Sequence, residues 1–226
     1  MTEYKGIRIL HCDNHVLVAV KPPNLPSQAD ASRDMDMLSL MKAYVKEAYQ
    51  KPGEAYLGLL HRLDRPVGGL MAFARTSKAA ARLSEQLRTH AMHREYLAVV
   101  RGSAQAEATL ENMLDRPEGP PQQAALTYTR LAQTDGLSLL WVRLQTGRKH
   151  QIRRQLAMAG LPVWGDARYG SGKPGEQIAL LGARLSFAHP TTGEMLRFVA
   201  LPPDTGPWPG FGVVSYPAET EKGTGI

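Results

Sequence analysis

The chain carries a single cysteine, Cys12, among 226 residues. An internal disulfide is therefore excluded, as is a zinc site built on two or more cysteine ligands, and a reducing compartment is the natural home. No basic or helix-start setting marks Cys12 as reactive, so it reads as a small buried filler. Long apolar runs are also absent. Nothing approaches the roughly 18 residues of a membrane span, and the opening MTEYKGIRILHCDNH lacks a signal-peptide core. The expectation is a soluble, cytoplasmic protein with no membrane contact. Walker-type P-loop, GxGxxG, GxSxG and HExxH patterns are all missing, so nothing points to ATP, a dinucleotide or a metal, and no cofactor is expected. Long polar tracts are missing too. With 43% apolar and 21% charged residues the chain has the composition of an ordinary globular protein. Its net charge of +6 leans towards polyanionic partners without requiring one.

What is present is a mixture of strand and helix patterns without regular βαβ alternation or an internal repeat, which predicts one α+β domain. Val16 to Val20 form a β-rich run that breaks at Lys21-Pro22-Pro23. MDMLSLMKAYVKEAY predicts an amphipathic helix with Leu38, Met41, Val45 and Ala48 on its apolar side, ending near Lys51-Pro52-Gly53. TSKAAARLSEQLRTH predicts a second helix, N-capped by Ser77, with Ala80, Leu83 and Leu87 as its stripe. REYLAVVRG and LSLLWVRLQ alternate as strands, and residues 115–123, DRPEGPPQQ, read as a surface loop between them. RKHQIRRQLAMAG predicts a third helix with Ile152, Leu156 and Ala159 inward and Gly160 just past its end. LSFAHPTTGEMLRFVALP reads as two strands joined at Thr192-Gly193.

Three places could carry chemistry. In LLHRLDRPVGG, Asp64 sits within an apolar context, where an isolated charge is too costly to leave unpaired. It serves either as a turn-capping or bridging carboxylate or as a nucleophile or general base kept ionised by an arginine. Arg62 would share its face if the segment were a strand, and Pro66, Gly68 and Gly69 supply a sharp turn. In QTGRKHQIRRQL, Arg148, Lys149, His150, Arg153 and Arg154 surround a helix start, which is either a solvated basic face or a phosphate site made of backbone N–H groups and cations. His150 has no second ligand at metal-binding spacing. Tyr96 lies in a strand, where an aromatic belongs to the core or offers its ring and phenol to a base.

Taken in order, DNHVLVAVKPPNLP, HRLD, REY, TGRKHQIR with GLPVWGDARYG, and LSFAHPTTGEMLRFVALPP closely resemble the motifs of the RluA-type pseudouridine synthases, from about Ile7 to Pro203. The resemblance implies a catalytic domain, residues 1–210, with a long mixed, mostly antiparallel sheet and flanking helices and loops around a central cleft. A tail, 211–226, is expected after it, and no S4-like domain is expected before it. It also implies cofactor-free isomerisation of a flipped uridine in rRNA or tRNA, in a stem-loop or single-stranded region. Carried over residue by residue, Asp64 becomes the catalytic carboxylate, Tyr96 the residue stacking on the base, and Arg153 the partner that orients Asp64. Arg62 falls near the flipped nucleotide, and Lys21, Arg65, Arg148, Lys149, His150 and Gln151 join it as the RNA-binding set.

The chain departs from that pattern where Val67-Gly68-Gly69 replace Thr-Ser-Gly, and where Gln155 and Gly182 stand in places often held by His. A non-catalytic RNA-binding or ribosome-assembly factor on the same fold is the alternative reading, and a small-molecule hydrolase using Asp64 and His150 is a third. With no extra apolar helix evident, a monomer is expected.

Overall fold

The computed structural model describes residues 2–50, 52–173, 175–212 and 216–217. In chain order its elements are β1 (Thr2–Tyr4), β2 (Ile7–Cys12), β3 (Val16–Lys21), α1 (Met37–Ala48), β4 (Gly58–Leu59), β5 (Gly68–Ala74), α2 (Ser77–Arg88), β6 (His93–Arg101), β7 (Glu107–Leu114), β8 (Gln122–Thr134), β9 (Leu137–Leu144), α3 (Gln151–Met158), β10 (Leu180–Ala188) and β11 (Met195–Val199), with a 3-10 turn at Trp208–Phe211. The strands make one sheet in the order β1-β2-β3-β5-β10-β6-β9-β8-β7, with β4 added on β5 and β11 on β10. The β5–β10 pair is parallel; the other pairs are antiparallel. This is the α+β, mixed and mostly antiparallel sheet that the sequence predicted. No helix among the described residues is long and apolar enough to cross a membrane.

Strand parity divides the apolar residues between the two faces. Leu17, Ala19, Met71, Phe73, Tyr96, Ala98, Leu140 and Val142 pack with Met37, Met41 and Val45 of α1 and with Ile152 and Leu156 of α3. Their neighbours in sequence turn the other way. Val16, Val18, Leu70 and Ala72 meet Ala79 and Leu83 of α2, while Leu97, Val99, Leu139 and Trp141 meet Trp208. Tyr96 thereby falls on the α1/α3 face for the same reason that Leu97 does not.

The helices sit where predicted, with shifts that follow from capping and packing. Asp36 caps α1 by accepting from the Ser39 N–H at 3.0 Å. Its buried side is Met37, Leu40, Met41 and Val45, whereas Leu38 lies at the edge of the stripe and Ala48, in the last turn, is exposed. Lys51, part of the expected stop, lies outside the described residues. Thr76, not Ser77, caps α2, through its hydroxyl and the Ala79 N–H at 3.1 Å. Helix α3 starts at Gln151 rather than Arg148, because His150 is left-handed at φ 53° and ends the preceding turn. Ala159 is solvent-exposed, while Gly160, at φ +73°, stands just past the helix end as expected.

Two larger differences concern strands. The expected loop is only the tip of a hairpin: β7 and β8 flank it in full register from Glu107↔Thr129 to Leu114↔Gln122. Asn112 on the inward side and Met113 on the solvent side interrupt the alternation of β7, which Glu107, Thr109 and Glu111 otherwise keep. The segment around Arg62 and Asp64 is not a strand; β4 stops at Leu59 and the chain turns at Asp64, whose carbonyl accepts from the Val67 N–H at 2.9 Å. It stays extended enough to bury His61 and Leu63 and leave Arg62 outside.

The parallel join between β5 and β10 uses two of the positions that depart from the family pattern. Gly68 pairs with Leu181 and Gly69 with Gly182. A methyl group on Gly69 would lie 2.4 Å from the Gly182 nitrogen and oxygen, and Gly69 holds φ +129°, so this contact admits only glycine. Of the expected 211–226 tail, residues 213–215 and 218–226 lie outside the described residues. Tyr216 packs its ring on Trp141 at 5.1 Å and donates to the Ala200 carbonyl at 2.6 Å.

Candidate active site

A cleft of about 760 Å³ opens on the α1/α3 face, between the 59–67 segment and the turn that leads into α3. Asp64, Tyr96 and Arg153 all line it, although they come from a loop, from β6 and from α3. Residue 64 is placed by the turn before β5, and its side chain is 24% exposed. Arg153 is buried and makes a three-way connection. Its Nη1 donates to Asp64 Oδ2 at 3.1 Å, while Nε and Nη2 donate to the two oxygens of Asp166, each at 2.8 Å. The planar guanidinium suits this arrangement, with one edge for each carboxylate.

Asp166 belongs to the GDARYG stretch and was not singled out in the sequence. Its side chain has no solvent exposure and also accepts from the backbone N–H groups of Arg168 (2.9 Å) and Tyr169 (3.1 Å). Burial alone would raise its pKa; the Arg153 guanidinium and those two N–H groups outweigh burial and hold it below the usual carboxylate range. The polar residue in a glycine-rich turn was visible in the sequence. Its pairing with an arginine thirteen residues earlier was not.

His150, held at φ 53° beside this fork, shares a 2.9 Å hydrogen bond between Nδ1 and the Tyr169 hydroxyl, and its Nε2 lies 3.8 Å from Asp64 Oδ1. Burial lowers its pKa, opposed by the Asp64 charge and reinforced by Arg153, Arg168 and Lys149. Tyr96 is buried in the cleft floor, and burial raises its phenol pKa, so it is a neutral ring at physiological pH. His61, also missed in the sequence, lines the floor. Its Nε2 accepts from the Ala72 N–H at 3.2 Å, and burial, helped by Arg94, pushes its pKa down to about 3.

The basic residues divide. Arg62, Arg148 and Lys149 are exposed on the cleft wall and rim. Arg65 is exposed as well, but an acidic loop grips it: Nη1 donates to Ser32 Oγ at 3.1 Å, Nη2 pairs with Asp34, and Asp30 lies 3.9 Å away. Two expected RNA contacts require correction. Lys21 is completely buried, and its Nζ donates to the carbonyls of Pro22, Leu25 and Arg65 at 3.0, 2.6 and 3.1 Å. It ties the 22–25 turn to the chain just after Asp64 and cannot reach a phosphate. Gln151 is also buried, with both ends of its amide bonded inside the protein. In both cases a polar side chain was satisfied by partners inside the protein before any ligand could claim it. Among the described residues, no three His, Cys, Asp or Glu side chains converge as a metal site.

Residues 15–158 match the family described as RNA pseudouridylate synthase. An RNA pseudouridine synthase of Bacillus subtilis, YhcT, is 32% identical over 208 residues, which cover 86% of this chain and 68% of the relative. The ribosomal large subunit pseudouridine synthase C of Escherichia coli is 32% identical over 224 residues, covering 88% and 67%. The chain thus spans about two thirds of the length of these relatives. In fold it is similar to human RNA pseudouridylate synthase domain containing 4, with a TM-score of 0.73 at 21% identity, over 87% of this chain and 88% of that one.

Proposed function

The chain belongs to the RNA pseudouridylate synthase family, isomerases acting on RNA, and from that premise we propose that Asp64 is the catalytic carboxylate acting on a uridine flipped into the cleft. The observation that carries this reading is the Arg153 fork. Arg153 is anchored by Asp166 and still donates to Asp64, so the Asp64 carboxylate is oriented by a fixed guanidinium at the base of an open cleft. An ion pair that served stability alone would have no need of a cleft.

The reaction breaks the N1–C1′ bond of uridine, joins C5 to C1′, releases the C5 proton to solvent and leaves N1 to take up a proton, with no net oxidation. A uracil ring must first leave its stack, at a cost of roughly a few kcal/mol. Tyr96 offers the ring surface for it, worth about 1–3 kcal/mol per base. Arg62, Arg148 and Lys149 on the wall and rim are placed to hold phosphates, with His150 beside Asp64 facing the nucleotide. We infer a structured ribosomal RNA as substrate, on the likeness to a relative named for the large ribosomal subunit, and a stem-loop or single-stranded target within it, since unstacked bases splay out at lower cost. A cytoplasmic monomer is the form we expect to act.

The test is release of tritium to water from RNA labelled at uridine C5 and prepared from cells lacking this protein. Ribosomal and transfer RNA are assayed separately, with wild type and Asp64→Asn in parallel. Release by wild type only, with RNA binding retained by the variant, is the expected result. Turnover by Asp64→Asn would refute the assignment, salt-sensitive binding without any turnover would favour a non-catalytic RNA-binding factor, and release from transfer RNA alone would move the substrate class.

A further inference from the structure

A buried line of amides runs from the β7–β8 hairpin to the rim of the cleft. Gln155 is fully buried, and its Nε2 reaches the carbonyls of Leu110 at 2.9 Å and Ala124 at 3.1 Å, and Asn112 Oδ1 at 2.9 Å. Its Oε1 accepts from Gln151 Nε2 at 2.9 Å, which also donates to the Ala125 carbonyl at 3.0 Å. Gln151 Oε1 then accepts from the Thr146 hydroxyl at 2.7 Å and from the Arg148 N–H at 2.9 Å.

The direction of every bond in this line follows from one end. Backbone carbonyls only accept, so Gln155 must present its NH2 group to the hairpin. Its oxygen is then left facing Gln151, which must answer with its own NH2 group. The Gln151 oxygen is therefore turned towards Thr146 and Arg148. A flip of either amide would set donor against donor, or oxygen against carbonyl, in a dry environment where such a mismatch is costly.

What this line reaches is the turn that carries the basic rim. His150 stands at the N-cap of α3 but makes no side-chain cap. The Arg148 N–H is held by Gln151 from inside the helix, while Thr146 and the Arg148 guanidinium also bond directly to Ala125 and Gln123 of β8, so the amide line adds to an attachment at the start of the turn. The same turn carries exposed Arg148 and Lys149 and sets His150, at φ 53°, 3.8 Å from Asp64.

We propose that Gln151 and Gln155 form a positioning relay that fixes the Gly147–His150 turn against the hairpin, so that the rim meets RNA already ordered. The catalytic consequence rests on the isomerase reading above. The relay acts on binding more than on chemistry, because Arg153 keeps its separate anchor on Asp166. Position 155, where the resembling pattern often has His, must both donate to the hairpin and accept from Gln151. A neutral imidazole supplies both, whereas a thioether supplies neither in useful strength.

The experiment compares wild type, Gln155→Met and Gln155→His by hydrogen exchange of the free protein and by steady-state kinetics on RNA. Loss of relay polarity in Gln155→Met is expected to speed amide exchange in residues 145–150 about tenfold and to raise KM about tenfold, with kcat within about threefold, the factor that about one buried hydrogen bond's worth of coupling lost at the turn would give. Gln155→His at pH 8 is expected to restore both. If Gln155→Met does not fold, Gln151→Met cuts the line at its middle, where every side-chain bond belongs to it, and carries the same expectations. Exchange and KM within twofold of wild type would overturn the relay, as would faster exchange spread evenly across the sheet, or a folded Gln155→His that restores nothing. Should wild type show no turnover at all, the isomerase reading fails, and the exchange arm still decides the relay.

Discussion

Asp166→Asn tests the site most sharply, because it removes a charge without changing a shape. All four groups that contact the Asp166 carboxylate are donors: Nε and Nη2 of Arg153 and the N–H groups of Arg168 and Tyr169. An asparagine has one oxygen to offer them. Placing that oxygen towards Arg168 and Tyr169 keeps three contacts and sets the new NH2 group against Arg153 Nε, where a 2.8 Å charge-assisted bond had been. That bond is worth about 1.5–3 kcal/mol, and the guanidinium, buried with less compensating charge, raises the total to about 3–5 kcal/mol. For a chain of this length the melting temperature should fall by roughly 6–20 °C. Arg153 would then be held at this end through Nη2 alone and could pivot, loosening its orientation of Asp64. Well below the new melting temperature, kcat should therefore drop at least tenfold, by analogy with the 10²-fold cost of small misplacements, while KM for RNA changes little. Chemical denaturation and single-turnover kinetics on the same preparation check both parts. A variant that lost about 1 kcal/mol or less and kept wild-type kcat would refute the role of Asp166 as anchor of the Arg153–Asp64 pair.

Two further expectations concern charge. His61 is neutral when folded, with a pKa pushed to about 3 against an ordinary 6.5. Below pH 6.5 the unfolded chain gains a proton that the folded chain refuses until about pH 3, so stability should fall with acidification through that window, by about 1.4 kcal/mol per pH unit from this group. His61→Gln keeps an acceptor for the Ala72 N–H and should flatten that slope; equal slopes for both proteins in urea denaturation between pH 6 and pH 5 would count against the account. On the surface, Asp30 and Asp34 hold Arg65 at the mouth of the cleft. Replacing both with asparagine should free Arg65 for a phosphate, tighten RNA binding and steepen the plot of log affinity against log salt by about 0.7–0.9. An unchanged salt slope would mean that Arg65 never reaches the RNA.

Several features of this protein are determined locally and could be read from the residues in order. The alternation of REYLAVVR and LSLLWVRL dictates two-faced strands whatever lies beside them, and so puts Tyr96 and Leu97 on opposite sides. Ordered motifs gave the family, and with it Asp64, Tyr96 and Arg153, which the fold brings to one cleft from three separate elements. Hydrogen-bond satisfaction, by contrast, is a property of three-dimensional neighbours, and there the residues alone misled. Lys21 and Gln151 look like RNA ligands until the carbonyls of Leu25, Arg65 and Ala125 are seen beside them. Asp166 looks like a turn residue until Arg153 is seen to point at it. Gly69 and Gly182 are ordinary glycines 113 positions apart until the parallel join of β5 and β10 presses one backbone against the other. Side-chain periodicity is a local property of the backbone; which donor meets which acceptor is decided only when distant strands pair.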